Sequence, residues 1–503
     1  MPVKVFSCFI QGIDGHLLEV EADILSGLSA FTIVGLGDQS VQESKERIRS
    51  AIRSTSAKYP TQKKIINLAP ASLKKQGPSF DLPIAISLLA ASGQLKSDLL
   101  RDTLLVGELA LNGSLRPINN ALSIAIFAQE NDWPKLILPA ENFQEAALVE
   151  GLEIIPVENL QQVWEILNGL QPFPQPPTIR PTLPKYPSKR ATYSLIQGQN
   201  EAKRALQIAA AGGHHLLMFG PPGVGKTLLA KALPEILPPL SKTELFQAIR
   251  IYSAAGQPTE SLLTSHRPFR KIHQNSSLIS LTGGGNPLKP GEISLAHGGV
   301  LFIDELPEFP RAVIESLRQP LEDGRIQVAR SGHHAIFPAS FTLVAAMNPC
   351  PCGYYGDPQK PCLCTSSQIK NYQQKLSGPL LDRIDLLVKL PRQKIQLDPT
   401  LHPDSLEKVK LSIQIAKERQ QKRFQNSHFQ NNAQLNSLDL RHFLTLNEKS
   451  QEYLKIIIDR TLLSARAQSQ LLRTALTIAD LKNQDQPTNL ELAEAFQFKS
   501  SEF

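Results

Sequence analysis

The sequence predicts a multidomain α/β protein, and three observations carry that prediction. An apolar run, Leu216-Leu217-Met218-Phe219, leads into a glycine-rich turn, Gly220 to Thr227, and then into a helical pattern from Leu228 to Leu237. A second apolar run, Val300 to Ile303, ends in Asp304-Glu305, and a third, Phe341 to Ala346, leads to Asn348. Strand-like runs separated by helical patterns are the mark of a parallel sheet.

At 503 residues the chain is too long for one core. The first block, residues 1–170, alternates strand-like runs such as Ile65-Ile66-Asn67-Leu68 with helical patterns such as Ile84 to Ala91. Residues 171–189 are so rich in proline that amide donors are lost and an extended linker is expected. Residues 190–392 hold the three runs above and a cysteine-rich loop at 349–365. Residues 393–503 read as helices, with apolar residues at helical spacing in 406–424, 453–463 and 470–481.

Composition excludes some classes. Apolar residues make up 41% and charged residues 20%, enough for packed cores. No run approaches the ~18 residues that span a bilayer, and the first residues lack the apolar core of a secretion signal. Four of the five cysteines fall between Cys350 and Cys364, which argues against a secreted disulfide scaffold. A reducing cytoplasm and no membrane partner are the expectation. The net charge of +7 and pI of about 9.0 suit an anionic partner, though weakly.

The turn Gly220-Pro221-Pro222-Gly223-Val224-Gly225-Lys226-Thr227, followed by Leu228, has the pattern of a phosphate loop in its required setting. Its glycines let backbone amides curl around a β-phosphate, and the following helix start adds positive potential. Lys226 then reaches the β- and γ-phosphates of ATP, and the Thr227 hydroxyl ligates Mg²⁺. Asp304 is placed to hold the Mg²⁺ shell and Glu305 to activate the attacking water. Asn348 follows a central strand, where its amide can bond the γ-phosphate or the water.

Further segments carry a family resemblance. Glu292 to Glu308, Ala346-Met-Asn-Pro-Cys-Pro-Cys-Gly353 and Leu380-Leu-Asp-Arg-Ile-Asp385 resemble the ComM/YifB family, the magnesium-chelatase-like branch of AAA+ ATPases, across nearly the whole chain. The resemblance implies an AAA+ core and a helical lid. It implies that Arg383 is an arginine finger completing a neighbour's ATP site, and hence a homo-oligomer, by family a hexamer. It also implies that Arg466, in Leu463-Ser464-Ala465-Arg466, contacts the γ-phosphate. Leu476 departs from the family, which carries arginine there, and puts a ligand or DNA role at that position in doubt.

The first block resembles the proteolytic domain of Lon, an α+β fold of the ribosomal-S5 type, through Gln76-Gly77-Pro78-Ser79 and Gly107 to Ile118. Ser79 stands at the nucleophile's place, but the activating lysine's place holds Leu122, which cannot accept a proton. The fold is expected and the peptidase is not, unless Lys74, Lys75 or another lysine substitutes.

Cys350, Cys352, Cys362 and Cys364 form a C-x-C…C-x-C pattern that suits tetrahedral Zn²⁺; reduced thiols in a proline-stiffened loop are the alternative. Tyr354, Tyr355 and Lys360 between them offer stacking and charge to nucleic acid. Arg270, Lys271 and Lys289 are the candidate DNA phosphate contacts, on loops that by resemblance line a pore. His214-His215 and His333-His334 read as structural.

The function the resemblance implies is a ring-forming ATPase that moves on single-stranded, duplex or branched DNA. It implies helicase-like branch migration in homologous recombination during natural transformation. The alternatives are a magnesium-chelatase-like remodelling ATPase and an ATP-dependent protease.

Overall fold

The computed structural model describes residues 2–71, 75, 77–95, 100–174, 192–264, 266–286, 288–330, 333–376, 378–393, 404–461 and 463–499. The proline-rich linker from 175 onward lies outside them, as do Lys74 and Gln76.

The first block is built on a seven-stranded mixed sheet. Strands β1 (Val3–Gln11) and β2 (Asp14–Leu25) form a hairpin paired from Val3↔Ala22 to Gln11↔Asp14. Strand β3 (Phe31–Val34) runs parallel to β4 (Lys63–Ala69), which pairs antiparallel with β2. On the other side, β5 (Thr103–Leu105) runs parallel to β1; after a small hairpin of β6 (Glu108–Leu109) and β7 (Leu115–Arg116) come β8 (Lys135–Pro139) and β9 (Glu153–Val157). Helix Asp81–Ala91 is buried along almost its whole length against this sheet. Its near-continuous apolar sequence follows from having no solvent face. Helix Gln39–Arg53 is opened by Asp38, whose carboxylate accepts the Val41 amide at 3.0 Å.

The second block is a five-stranded parallel sheet. Its strands are β10 (Leu216–Phe219), β11 (Phe269–Ile272), β14 (Val300–Ile303), β17 (Thr342–Met347) and β18 (Leu386–Lys389), in the order β11-β14-β17-β10-β18. Two hairpins lie outside it, β12 (Gly283–Gly284) with β13 (Lys289–Pro290) and β15 (Arg325–Arg330) with β16 (His333–Pro338). Side chains alternate across the parallel sheet. Leu216, Met218, Phe302, Val344, Ala346 and Val388 enter one core, while Leu217, Phe219, Leu301, Ile303, Leu343 and Ala345 enter the other. Both faces are therefore covered, as a parallel sheet requires.

Helices Asp404–Arg423 and Ala465–Leu481 pack on helix Asn200–Gly212 and share the first of those cores with Glu448–Thr461 and Asn489–Gln497, while Ser437–Phe443 packs through Leu440 in a small separate cluster with Phe424, Leu435 and Leu476. A buried polar joint fixes lid to sheet. His214 Nδ1 and Asp385 Oδ2 lie 2.8 Å apart, His214 Nε2 and Thr477 Oγ1 2.7 Å, and Arg473 donates twice to Asp385 at 2.5 and 3.1 Å. Burial works against the charge on Asp385, but Arg473 and His214 hold its carboxyl well below the usual range. No helix among the described residues is long and apolar enough to cross a membrane.

The first block docks on the second through helix Lys242–Ala255. Ala248, Ile249, Ile251 and Tyr252 share a buried cluster with Leu104, Ile118, Leu122 and Ala125. Polar contacts rim it: Arg250 donates to the Ile13 carbonyl at 2.6 Å and to Ser123 Oγ at 3.2 Å, and the Asn120 amide donates to Ser253 Oγ at 2.6 Å.

Candidate nucleotide site

The glycine-rich turn emerges from β10, the strand flanked by β17 and β18, so residues from three strand ends converge on it. Gly223 (φ +83°) and Gly225 (φ +93°) adopt the left-handed backbone that the curl requires. At Gly220 a Cβ would lie 2.4 Å from the Leu390 carbonyl oxygen, so only glycine fits there. Helix Lys226–Ile236 starts immediately after.

Lys226 is buried, and its ammonium donates to the Gly220 carbonyl at 2.5 Å, the Pro221 carbonyl at 3.2 Å and Asn348 Oδ1 at 2.9 Å. Burial lowers its pKa to about 8, against the pull of Asp304 and Glu305. Thr227 Oγ1 donates to Asp304 Oδ2 at 3.2 Å, so the two expected Mg²⁺ ligands already meet. Glu305, just past β14, has a left-handed backbone (φ +53°), uncommon for a side chain of its kind. Its carboxylate accepts a hydrogen bond from Gln274 Nε2. Gln274 is a site residue that the sequence reading missed; its signal was its place just beyond β11, the strand beside β14.

The two arginines lie elsewhere. Arg383 and Arg466 line one cleft of roughly 690 Å³ between sheet and lid, together with Arg267, Lys417, Glu322 and Arg473. Lys226, Thr227, Asp304 and Glu305 do not line it. Arg383 pairs with Glu322 and donates to the Pro379 carbonyl at 2.7 Å, while its buried Nε has no partner among the described residues. Arg466 is exposed at the start of helix Ala465–Leu481.

The basic residues expected on pore loops divide. Arg270 and Lys271 are corrected: they lie within β11, not on a loop. Arg270 donates to both Glu292 oxygens at 2.6 and 2.7 Å. Lys271 donates to Asp304 at 3.4 Å and sits over the Phe302 ring. Lys289 is exposed on the β12–β13 hairpin. The β15–β16 hairpin was not anticipated, although Ile326, Val328, Ala335 and Phe337 are buried with the two-residue period that marks a strand. His214 and His215 are structural. Leu476, at the position where the family carries arginine, is fully buried among Phe424, Leu435 and Leu440.

In the first block, Leu122 is fully buried in the docking interface, its amide bonded to Glu145 at 3.1 Å. Lys75 is buried and directs its ammonium to the Pro70 carbonyl. The four cysteine sulfurs converge to within 4.8 Å of one another. Lys360 lies over the Tyr354 ring at 5.0 Å.

A phosphate loop, an acidic strand end and a polar residue on the adjoining strand, set on this strand order, define a P-loop ATPase of the AAA+ class. Three family models match: magnesium chelatase subunit ChlI over residues 192–397, a second ChlI segment over 20–142, and the ChlI C-terminal region over 404–499. The chain is 41% identical to the uncharacterized protein YifB of Escherichia coli, covering 97% of this chain and 95% of that one. It is 39% identical to the competence protein ComM of Haemophilus influenzae, covering 99% and 97%. Lon protease 2 of Bacillus subtilis is similar over a shorter stretch, 29% identical across 31% of this chain and 32% of its own. The chain belongs to the YifB and ComM family of magnesium-chelatase-like AAA+ proteins.

Proposed function

We propose that this chain hydrolyses ATP-Mg²⁺ in a site shared between copies of itself, as a ring and by family a hexamer, and uses the hydrolysis to move on DNA. The observation that carries the reading is the separation of charges. Lys226, Thr227, Asp304, Glu305 and Asn348 are grouped beyond the carboxyl ends of β10, β14 and β17, whereas Arg383 and Arg466 line a different cleft. Phosphoryl transfer needs cations against the γ-phosphate charge that develops in the transition state. A neighbour's Arg383 and Arg466 supply them if the cleft of one copy covers the phosphate loop of the next. ATP binding then draws Lys226 from the loop carbonyls to the phosphates.

Thr227 and Asp304 would hold Mg²⁺, which would supply neutralisation of phosphate charge; Glu305, released from Gln274, would take the proton of the attacking water. Cys350, Cys352, Cys362 and Cys364, whose sulfurs converge, would hold Zn²⁺ as a structural ion. The DNA part of the reading is supported by the relative named a competence protein, by the chain's basic balance and by exposed Lys289. Branch migration during recombination is its specific form. The peptidase alternative is disfavoured because Leu122 is shut inside an interface.

The test is ATP turnover by purified protein with and without single-stranded, duplex and four-way DNA at low salt, where phosphate contacts are strongest. Stimulation lost in Lys226→Ala is expected. A normal turnover indifferent to every DNA removes the DNA motor and favours the remodelling ATPase that the ChlI models bring to mind.

A further inference from the structure

The cysteine loop follows β17, with Cys350 two residues beyond Asn348, and lies against the nucleotide loop. Its own packing is poor: Leu363 is 87% exposed and Tyr355 47%. Nine residues separate the two cysteine pairs, too few to build a core. Yet the sulfurs converge, with Cys350 Sγ 3.3 Å from Cys352 Sγ and 3.6 Å from Cys362 Sγ, and Cys352 Sγ 3.6 Å from Cys362 Sγ. These spacings are far longer than the ~2.0 Å of a disulfide. They approach the edge of about 3.8 Å that follows from four Zn–S bonds of ~2.3 Å in a tetrahedron. Two amides donate to sulfur, Tyr355 N to Cys350 Sγ at 3.3 Å and Cys352 N to Cys364 Sγ at 3.4 Å. Such donors offset the negative charge that thiolates retain on a metal. Soft thiolates select zinc over the magnesium that the nucleotide brings.

The same loop touches the phosphate loop. Gly353 (φ +83°) presents bare backbone to Pro222, and a Cβ added there would lie 2.9 Å from Pro222 Cδ and 3.8 Å from Asn348 Cγ. On its far side Asp357 accepts from Arg392 at 3.1 Å, just beyond β18. The loop thus spans the ends of the strands on either side of β10 and rests on the turn between them. We propose that zinc bound by the four cysteines braces the phosphate loop through the Gly353–Pro222 contact, so that zinc occupancy sets the affinity for ATP. The inference rests on the zinc reading above. Metal binding releases thiol protons to solvent and replaces the missing core as the source of order in the loop. A brace formed before ATP arrives spares the nucleotide the entropy cost of ordering Pro221, Pro222 and Asn348.

The experiment uses the full chain purified without chelators. Zinc is measured by plasma mass spectrometry, and Mg²⁺-ATP affinity with a fluorescent ATP analogue. Wild type, Cys362→Ser/Cys364→Ser and Gly353→Ala are compared, with circular dichroism as the control for folding. One zinc per wild-type chain is expected, lost in the double serine variant. Cobalt loaded in its place should show thiolate charge-transfer absorbance. Nucleotide affinity should fall by about tenfold, the equivalent of ~1.4 kcal/mol. Gly353→Ala should keep zinc and bind ATP several-fold more weakly. A wild-type chain without zinc, unable to take up zinc or cobalt, overturns the zinc reading and the brace with it. Zinc present, with unchanged affinity in Gly353→Ala, overturns the brace and leaves the zinc site standing. The Gly353→Ala result decides the brace even where the serine variant does not fold.

Discussion

Lys226 Nζ lies 2.9 Å from Asn348 Oδ1, a bond between the phosphate loop and the end of the adjoining strand. On the proposed function Asn348 would hold the lysine before ATP binds and then turn its amide toward the γ-phosphate or the water. Asn348→Ala should lower kcat by about 10²-fold, as removal of one preorganised donor does. ATP affinity should change far less. Single-turnover and equilibrium binding measurements separate the two; equal losses in both would make Asn348 a binding residue only.

Glu305 is strained in its backbone and bonded to Gln274. Glu305→Gln should bind ATP-Mg²⁺ normally and hydrolyse it some 10²- to 10⁴-fold more slowly, the range for loss of a positioned base. Gln274→Ala, which frees the carboxylate, should retain turnover at least near wild type. A Gln274→Ala chain as inactive as Glu305→Gln would assign the glutamine a direct role.

Acid should loosen the fold through buried histidines. Burial lowers the pKa of His215 and of His297 to about 4, and that of His214 in the same direction. His215 and His297 each accept a backbone amide at Nδ1, from Leu343 and Ser340 at 3.1 Å, and a proton there removes the acceptor. Their unfolded pKa is ~6.5, so between the two values the unfolded chain binds more protons. Their contribution is complete above about pH 6.5 and is lost as pH falls toward 4. At pH 5 the loss is roughly 2 kcal/mol for each of these two rings. The urea midpoint should therefore drop between pH 7.5 and 5; a flat midpoint would contradict the burial.

Leu122 joins the first block to helix Lys242–Ala255. Leu122→Ala should cost about 2 to 5 kcal/mol of docking and stability. Leu122→Lys buries a charge beside Glu145 and should release the block, seen as new proteolytic cleavage between the blocks. Neither variant should gain peptidase activity, and Ser79→Ala should leave all readouts unchanged. Serine-dependent cleavage of a protein substrate would contradict this.

What the sequence disclosed was local. Gly220 to Thr227 and Asp304-Glu305 are contiguous because a phosphate loop and a strand end are made by neighbouring residues, so spacing alone reveals them. The parallel sheet followed from apolar runs that have no solvent face. What stayed hidden were pairings between distant segments: Gln274 with Glu305, Arg270 with Glu292, Lys271 with Asp304, and Asp385 with His214 and Arg473. A cation in a basic run looks free until its partner's strand is placed beside it. Leu122 was legible as a missing lysine, but its place in an interface depends on the docking of two blocks.

The central claim, a nucleotide site completed by a second copy, is tested most directly by mixing Lys226→Ala with Arg383→Ala. Each alone should be inactive, the first in its own loop and the second toward its neighbour. Mixed in equal amounts and allowed to exchange subunits, about a quarter of random interfaces pair an intact loop with an intact arginine. ATP turnover should reappear at a comparable fraction of wild type. Mixed assemblies, verified by differential labelling, that remain as inactive as their components would contradict the shared site.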